Sequence, residues 1–572
     1  MASRRQASTG ISITQGLSVS QEFSDHPAEL PAHASWPQRT WDTLNVHRMR
    51  AFWVTAIVVL TLQLIALVVY STHLYSRFDV SVDFAHNVQA WYLIGHGHLS
   101  PTDTVRITAT PFWRDHFDLI IWPLSLLRFI WVQPVILLWV QDVAIVAAEF
   151  VTLLWAAAII SERLPRYRVP AGIIALVALV SNSWWYETVS FDIHMPPLGL
   201  PLVVLCAYSF WSGRYRRAVI SGALCLLLGA VTAELVVIVG IAALCSSRVR
   251  RSGGIKASVG VLVIGLAWMG LVNVLGANQA SNLVANYGYL AGTTPKVTLF
   301  SIAKGLAFHP HRGLTVVHER WKALVFELAP TGWLGLLTPW GLFAFLGVLI
   351  PALLTQSPAY STPTGGAFQN LPAMPFIYIG SVMVITRIAT LRSWSDETDR
   401  PKSHVRSWAR GFFGRFAKMG PAAASVLAAA AMFIAVGQGA TMVHRIPGNW
   451  LLINSKQAAT LAQATTLIPE NAQVIVSYGV IGRFSERKYV LTLAAAPQQF
   501  DIYTRDVVFV ITPTLGVESE NPLDARADIK QVVNKLHAKV LLSANGVAVL
   551  QWEAPSNTKT IWLDGRYPTP PS

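Results

Sequence analysis

Long apolar stretches constrain this chain more than any other feature of its sequence. The clearest are residues 51–72, 133–160, 256–277, 371–391 and 420–441. A helix of about 20 apolar residues crosses the hydrocarbon core of a bilayer. Only 13% of the 572 residues are charged, about half the share found in soluble domains. We therefore predict an α-helical polytopic membrane protein with about 11 transmembrane helices in residues 51–441.

The net charge of +14 would favour nucleic acid as a partner of a soluble protein. Here the basic residues cluster in short segments between apolar runs, which is the distribution of cytoplasmic loops. We therefore predict membrane lipids as partners and no nucleic acid. The clusters are Arg48 and Arg50; Arg163, Arg166 and Arg168; Arg214, Arg216 and Arg217; Arg248, Arg250 and Arg251; and the segment 392–418.

Fixing these clusters inside predicts a topology. Residues 1–50, polar and without an apolar signal-peptide core, form a disordered cytoplasmic tail in this scheme. The short apolar stretch 118–131, interrupted by Pro123, is predicted to be re-entrant or to lie on the surface. The outer loops are then residues 73–117, 183–194, 278–320 and 356–370.

The composition changes after residue 441. The stretches "AQVIVSY", "KYVLTL", "DVVFVIT" and "AKVLLSANGVAVLQWE" are rich in β-branched residues and predict strands. Residues 455–467 and 524–538 have helical spacing. We predict a small extracytoplasmic α/β domain over residues 442–560, followed by a disordered tail, residues 561–572.

Carboxylates and imidazoles gather in the predicted outer loops, where ionisable groups are costly unless hydrated, paired or functional. Asp79 and Asp83 follow the first helix, and Asp83 and Gln89 roughly share one helical face. A solvated amphipathic helix on the membrane surface explains this segment equally well. His116 in "RDHFD" is a candidate acid, base or anion contact, although charged residues before a membrane helix are common.

Three further segments carry candidates. In "SFDIHMPP", Asp192 and His194 can point into one cavity from an extended loop. Glu234, at the tip of an apolar hairpin, is a candidate ligand or a partner for Arg312. "FHPHRG" offers His309, His311 and Arg312 to an anionic headgroup, or is a solvated loop.

Ordered motifs in this chain resemble a bacterial family of multi-pass membrane proteins, domain of unknown function 2079. They are "VDFAHNVQAWYLI", "DHFDLIIWPLSLL", "FDIHMPPLGLP", "TAELVVIVG", "YGYLAG", "TGWLGLLTPWGLFAFLGVLIPALLTQ" and "LIPENAQVIVSYGVIGRFSERKYVL". The resemblance places family positions on Asp83, Gln89, His116, His194 and Glu234. Where the family has a Gly-bearing aliphatic stretch after its aspartate, this chain has "FAHN", so Asp79 stays an alternative to Asp83.

That family is similar in layout to the C-type membrane glycosyltransferases, which use polyprenyl-phosphate sugars. The resemblance implies a polyprenyl-phosphate-linked sugar as partner and transfer at the outer face of the bacterial cytoplasmic membrane. It implies Asp83 as base, with His116, His194 and Arg312 on the leaving phosphate. Asp192 or Glu234 would orient the acceptor or hold a divalent cation. A transporter or flippase, and a non-catalytic assembly protein, are the alternative readings.

Overall fold

The computed structural model describes residues 36–105, 109–114, 117–190, 192–275, 280–292, 297–356, 370–395, 420–445, 452–494, 498–512 and 522–563. Six helical stretches in these ranges are long and apolar enough to cross a membrane, and three apolar helices are shorter. The prediction of a helical membrane protein is confirmed, whereas the count of about 11 crossings stays a prediction. The six are His47–Ser76, Val135–Arg163, Pro165–Val189, Ile255–Val274, Leu371–Thr390 and Gly420–His444; the three are Met195–Trp211, Ala230–Cys245 and Pro339–Leu354.

Short breaks divide many of these stretches into separate α-helices. Their bounds are α1 Trp36–Ser76, α2 Val82–Gly95, α3 Ile121–Ser125, α4 Val135–Arg163, α5 Arg168–Val180, α6 Ser183–Val189, α7 Met195–Trp211, α8 Tyr215–Cys225, α9 Ala230–Cys245, α10 Ser247–Arg251, α11 Ile255–Val274, α12 Ala280–Ala291, α13 Leu299–Phe308, α14 Pro310–Glu319, α15 Trp321–Leu328, α16 Pro339–Ala344, α17 Ile350–Leu354, α18 Met374–Ser395, α19 Gly420–Arg445, α20 Ser455–Leu467 and α21 Pro522–Asn534.

Two breaks between these helices position residues of the candidate site. The loop before α7 ends where Pro196 and Pro197 enter its first turn, the part of a helix that tolerates proline because its N–H groups have no partner there. Gly229 has φ +94° between α8 and α9, a conformation that glycine adopts without a Cβ clash. This glycine makes the turn of the hairpin that carries Glu234.

Helices α1 and α4 are joined by polar contacts between buried side chains. The amide of Gln63 donates to Glu149 over 2.7 Å, and the hydroxyl of Ser71 donates to Asp142 over 3.1 Å. All four side chains are buried. Polar groups buried in a membrane protein are retained where they have hydrogen-bond partners, so these pairs fix how α1 lies against α4.

The described residues between 452 and 563 form an α/β segment, hereafter the C-terminal segment. The strands of its five-stranded sheet are β3 Gln473–Ser477, β4 Val490–Leu493, β6 Asp506–Ile511, β7 Lys539–Ala544 and β8 Val547–Glu553. Their order is β4-β3-β6-β8-β7, with β3 parallel to β4 and β6 and with β8 antiparallel to β6 and β7. Helix α20 packs on one face of the sheet and α21 on the other. Two further pairs are antiparallel: β5 Gln498–Asp501 with β9 Thr560–Leu563, and β1 Thr102–Asp103 with β2 Thr110–Pro111.

The C-terminal segment shares its hydrophobic core with the region that follows α1. Phe78, Ala85 and Val105 belong to the same buried cluster as the residues under α20. The backbone N–H of Gly482 donates to the carbonyl of Val80 over 3.0 Å. Helix α2 is therefore packed against the C-terminal segment as part of one core.

Candidate functional site

A cavity of about 390 Å³ opens beside the N-terminal turn of α2. Polar side chains reach it from α2, from the loop before α7, and from α9 and α12. Its apolar lining includes residues of α9 and of the stretch 347–352. The polar lining is Asp83, His86, Asn87, Asp118, His194, Glu234, Asn286, Tyr287 and Thr355; the apolar lining includes Leu228, Val231, Leu235, Ile238, Val348 and Pro351.

Asp83 and His194 meet in this cavity although 111 residues separate them in the chain. The Nε2 atom of His194 lies 3.1 Å from Oδ2 of Asp83. The Asp83 side chain is 42% exposed and that of His194 only 10%. A carboxylate within reach of a ligand, as a general base must be, thus contacts an imidazole that is largely shielded from solvent.

Asp192 lies behind this pair and binds the start of α2. Its carboxylate accepts from the backbone N–H of Ser81, over 2.9 and 3.0 Å, and from the Ser81 hydroxyl over 2.6 Å. It also accepts from the N–H of Phe84 over 3.2 Å. Ser81 is the N-cap residue of α2 but makes no capping bond with its own side chain. Asp192 therefore caps the helix from a distant loop, satisfying donors that a helix N-terminus otherwise leaves without partners.

This buried position changes the acidity of Asp192. Burial raises the pKa of its carboxyl to about 6, the hydrogen bonds from Ser81 lower that pKa, and the neighbouring charge of Asp83 raises it. Asp192 is 4% exposed and is not part of the cavity lining. The structure therefore gives Asp192 a contact with α2, whereas its contact with acceptor or metal stays a prediction.

Glu234 is brought to the same cavity as Asp83 and His194, as the sequence predicted. It stands one turn into α9, with Asn286 and Tyr287 of α12 in the same lining. The hydroxyl of Tyr287 donates to the carbonyl of Pro351 over 3.0 Å. Helix α12 is thereby held against the stretch 347–352, which contributes apolar residues to the cavity lining.

Asp79 and Gln89 serve contacts outside the cavity. Oδ2 of Asp79 accepts from the backbone N–H of Leu452 over 3.2 Å. The Gln89 amide donates to the Thr104 hydroxyl and to the carbonyl of Lys488, over 2.7 and 3.0 Å, and accepts from the Thr104 N–H over 2.8 Å. Asp79 and Gln89 thus connect the α2 region to neighbouring segments of the chain. Of the two predicted aspartates, Asp79 and Asp83, it is Asp83 that lines the cavity.

His309, His311 and Arg312 are not part of the cavity lining. His309 and His311 are exposed, with ring centroids 5.9 Å apart. Arg312 of α14 contacts α12, because its Nη1 donates to the carbonyl of Tyr289 over 3.3 Å. Helix α12 also carries the lining residues Asn286 and Tyr287. His116 lies outside the described residues.

Three contributors to the site escaped sequence reasoning. Gln141 of α4 binds the backbone of the loop before α7, and Asp118 lines the cavity. Nη1 of Arg320 donates to the carbonyls of Leu353 and Thr355, over 2.7 and 2.6 Å. An amide inside the apolar run "VILLWVQDVAIV" was the one available signal, because polar groups within membrane helices are usually functional or paired.

The predicted divalent cation stays a prediction. Within the described part of the chain, no group of three or more His, Cys, Asp or Glu side chains is arranged to hold a metal ion. The lining carboxylates of Asp83, Asp118 and Glu234 are oxygen ligands of the type that Mg²⁺ and Ca²⁺ prefer, and one or two of them with water would suffice for Mg²⁺.

The family with the description "Predicted membrane protein (DUF2079)" matches residues 41–549, nearly the whole chain. This chain belongs to the DUF2079 family. The resemblance seen in the sequence motifs is thereby confirmed. No curated relative matches the sequence.

Two solved structures have a similar arrangement over most of the chain. Both are ArnT from Cupriavidus metallidurans, one bound to undecaprenyl phosphate and one in the apo state. Each is 11% identical and covers 88% of this chain, with 97% and 98% of its own length aligned and TM-scores of 0.45 and 0.46.

Proposed function

We propose that this protein is a membrane glycosyltransferase that moves a sugar from a polyprenyl-phosphate donor to an acceptor at the outer face of the cytoplasmic membrane. The observation that carries the proposal is the accessible carboxylate of Asp83, paired with His194 in a cavity lined by both polar and apolar side chains. A donor of this class has matching parts, a polar sugar phosphate and a long isoprenoid chain.

The reaction assigns Asp83 the role of general base. Its carboxylate takes the proton from the acceptor hydroxyl while the hydroxyl oxygen attacks the anomeric carbon of the sugar. The bond between that carbon and the phosphate oxygen breaks, and polyprenyl phosphate leaves with the bonding electrons. A base positioned in this way contributes about 10²- to 10⁴-fold to a rate.

The leaving phosphate needs positive charge or hydrogen-bond donors. Both ring nitrogens of His194 are already engaged, with Asp83 and with the carbonyl of Asp192, so His194 acts on Asp83 and not as a direct phosphate ligand. Arg312 remains a candidate because it contacts α12, and Arg320 joins it because it binds Thr355, a lining residue. His116, His309 and His311 remain predictions.

The orientation in the membrane follows from two ends of α4. Its first turns contact the loop before α7, next to the cavity, whereas Glu162 at its other end pairs with Arg248 over 2.7 Å. Basic loops are retained on the cytoplasmic side, so the cavity faces outward in this proposal. The C-terminal segment packs on α2 and therefore lies outside, with the N-terminus inside.

The test is chemical and does not require the acceptor to be known. Cells lacking the protein should accumulate a polyprenyl-phosphate-linked sugar, measured by mass spectrometry of extracted lipids. The wild-type chain should clear that pool and Asp83→Asn should not. Glu553→Gln is the matched control, because it removes an exposed carboxylate paired with Arg505 in the C-terminal segment, and it should behave as wild type.

A second measurement separates transfer from transport. Purified protein in liposomes should release polyprenyl phosphate from the labelled donor in the presence of a membrane extract that supplies acceptors. Donor that crosses the bilayer chemically intact, at equal rates for wild type and Asp83→Asn, would instead identify a flippase.

A further inference from the structure

Gln141 holds the loop before α7 by its backbone on both sides of Ile193. Its Oε1 accepts from the N–H of His194 over 2.8 Å, and its Nε2 donates to the carbonyl of Asp192 over 3.3 Å. Gln141 is only 1% exposed, so water does not compete for these bonds. One amide thus fixes the backbone from which both Asp192 and His194 project.

The same carbonyl of Asp192 determines the tautomer of His194. It lies 2.8 Å from Nδ1 of the imidazole, and because a carbonyl oxygen only accepts, Nδ1 must carry the proton. A neutral imidazole in this tautomer has a lone pair on Nε2. That lone pair would face Oδ2 of Asp83 at 3.1 Å.

Two acceptors do not remain at that distance, so a proton must lie between Nε2 and Oδ2. It is held as imidazolium with carboxylate, or as imidazole with carboxylic acid. The other titratable side chains lining the cavity are His86, Asp118 and Glu234, and the buried Asp192 stands behind the pair. In either form the pair carries no net charge, so Asp83 adds nothing to the negative charge that the three other acids present to a substrate phosphate.

We propose that Gln141 is a positioning residue: by holding the backbone of residues 192–194 it sets the tautomer of His194 and makes His194 and Asp83 share one proton. The consequence for activity rests on the proposed glycosyl transfer, whereas the consequence for the imidazole does not. The nitrogens of His194 therefore provide a readout that is independent of any turnover.

Two substitutions separate hydrogen bonding from size. Gln141→Met keeps the volume but removes donor and acceptor, so kcat should fall by about 10- to 100-fold through displacement of the pair, with KM for the donor nearly unchanged. The carboxylic acid introduced by Gln141→Glu has one donor and one acceptor, which match the two hydrogen bonds that Gln141 makes. This variant should therefore restore kcat to near the wild-type value. Gln438→Met is the control, since Gln438 is a helix amide that donates to the carbonyl of Phe326 away from the cavity.

Solid-state ¹⁵N NMR of histidine-labelled protein in lipid measures the imidazole directly. The chain has 15 histidines, so the His194 signals are found by difference from His194→Asn. In the wild type, Nδ1 should be protonated and Nε2 should have the shift of a nitrogen that shares a proton. In Gln141→Met the pattern should change to that of a solvent-exchanging imidazole.

The outcomes are decisive in each direction. A bare Nδ1 in the wild type, or wild-type kcat together with unchanged His194 signals in Gln141→Met, would overturn the inference. The expected NMR pattern in a protein that transfers no sugar would uphold the role of Gln141 and reject the glycosyltransferase proposal alone. Failure of Gln141→Met to fold still leaves Gln141→Glu and the wild-type spectrum as tests.

Discussion

Acidification should affect stability and activity of this protein in opposite directions through Asp192. The carboxyl group of Asp192 has its pKa raised by burial to about 6 from its usual 3.8. A group that binds its proton more tightly in the folded chain stabilises the fold at low pH. That contribution is complete below pH 4 and is lost as the pH rises to about 6.

The size of the effect follows from the two pKa values. The difference between 3.8 and about 6 corresponds to about 3 kcal/mol. Asp192→Asn has no such proton to lose. The unfolding free energy of the wild type, measured relative to Asp192→Asn, should therefore decrease by about 3 kcal/mol between pH 4 and pH 6 and stay constant above.

Activity should follow the opposite course. The carboxylate of Asp192 accepts from the N–H groups of Ser81 and Phe84, and a proton on it replaces one acceptor position with a donor. The N-terminal turn of α2, which carries Asp83, would then lose part of its cap. Transfer by the wild type should fall as the pH drops through about 6.

Denaturant unfolding and lipid-linked donor turnover, both measured on wild type and Asp192→Asn in nanodiscs from pH 4 to pH 8, test this account. A difference in unfolding free energy between the two proteins that does not change from pH 4 to pH 8 would show that the pKa of Asp192 is not raised in the folded chain. Wild-type turnover that stays constant down to pH 5 would refute the claim that the cap supports the base.

Three further changes probe the contacts around α2 and within the membrane. Gly482→Ala places a Cβ 2.6 Å from a side-chain atom of Val80, just before α2, and 2.8 Å from one of Phe84 in its first turn. It should lower turnover about tenfold or more, whereas Gly437→Ala, with open space around it, should not. Gln89→Leu removes three hydrogen bonds to Thr104 and the C-terminal segment and should destabilise the protein by about 2–4 kcal/mol in denaturant unfolding; an unchanged midpoint would contradict the contact. Glu149→Leu deprives a buried amide of α1 of its acceptor and should lower the melting temperature, while Glu149→Gln, which keeps an acceptor, should lower it less.

The sequence indicated which polar residues would lie together but not which contacts each side chain makes. Asp83, His194 and Glu234 stood out because acids and imidazoles at membrane boundaries need a reason to be there, and all three line one cavity. The contacts of Asp192 and Gln141 could not be read in the same way. They depend on which distant backbone donors lie opposite, and only the folded chain decides that.

The C-terminal segment shows the same limit. Strand composition predicted its β-strands, since β-branched runs fit a half-buried sheet. Composition does not specify strand order, and it did not indicate that Phe78, Ala85 and Val105 complete the core under α20. A segment predicted as a separate domain thus turns out to share its core with the helix that carries Asp83.

In the proposed reaction, substrate reacts in the cavity between Asp83 and Glu234. Cryo-electron microscopy of the protein in nanodiscs with polyprenyl phosphate would locate the lipid phosphate. We predict phosphate density inside this cavity, near the wall formed by Asn286 and Tyr287, with the isoprenoid chain along Val231 and Ile238. Phosphate bound at the opposite membrane face, or an empty cavity at saturating lipid, would contradict the account.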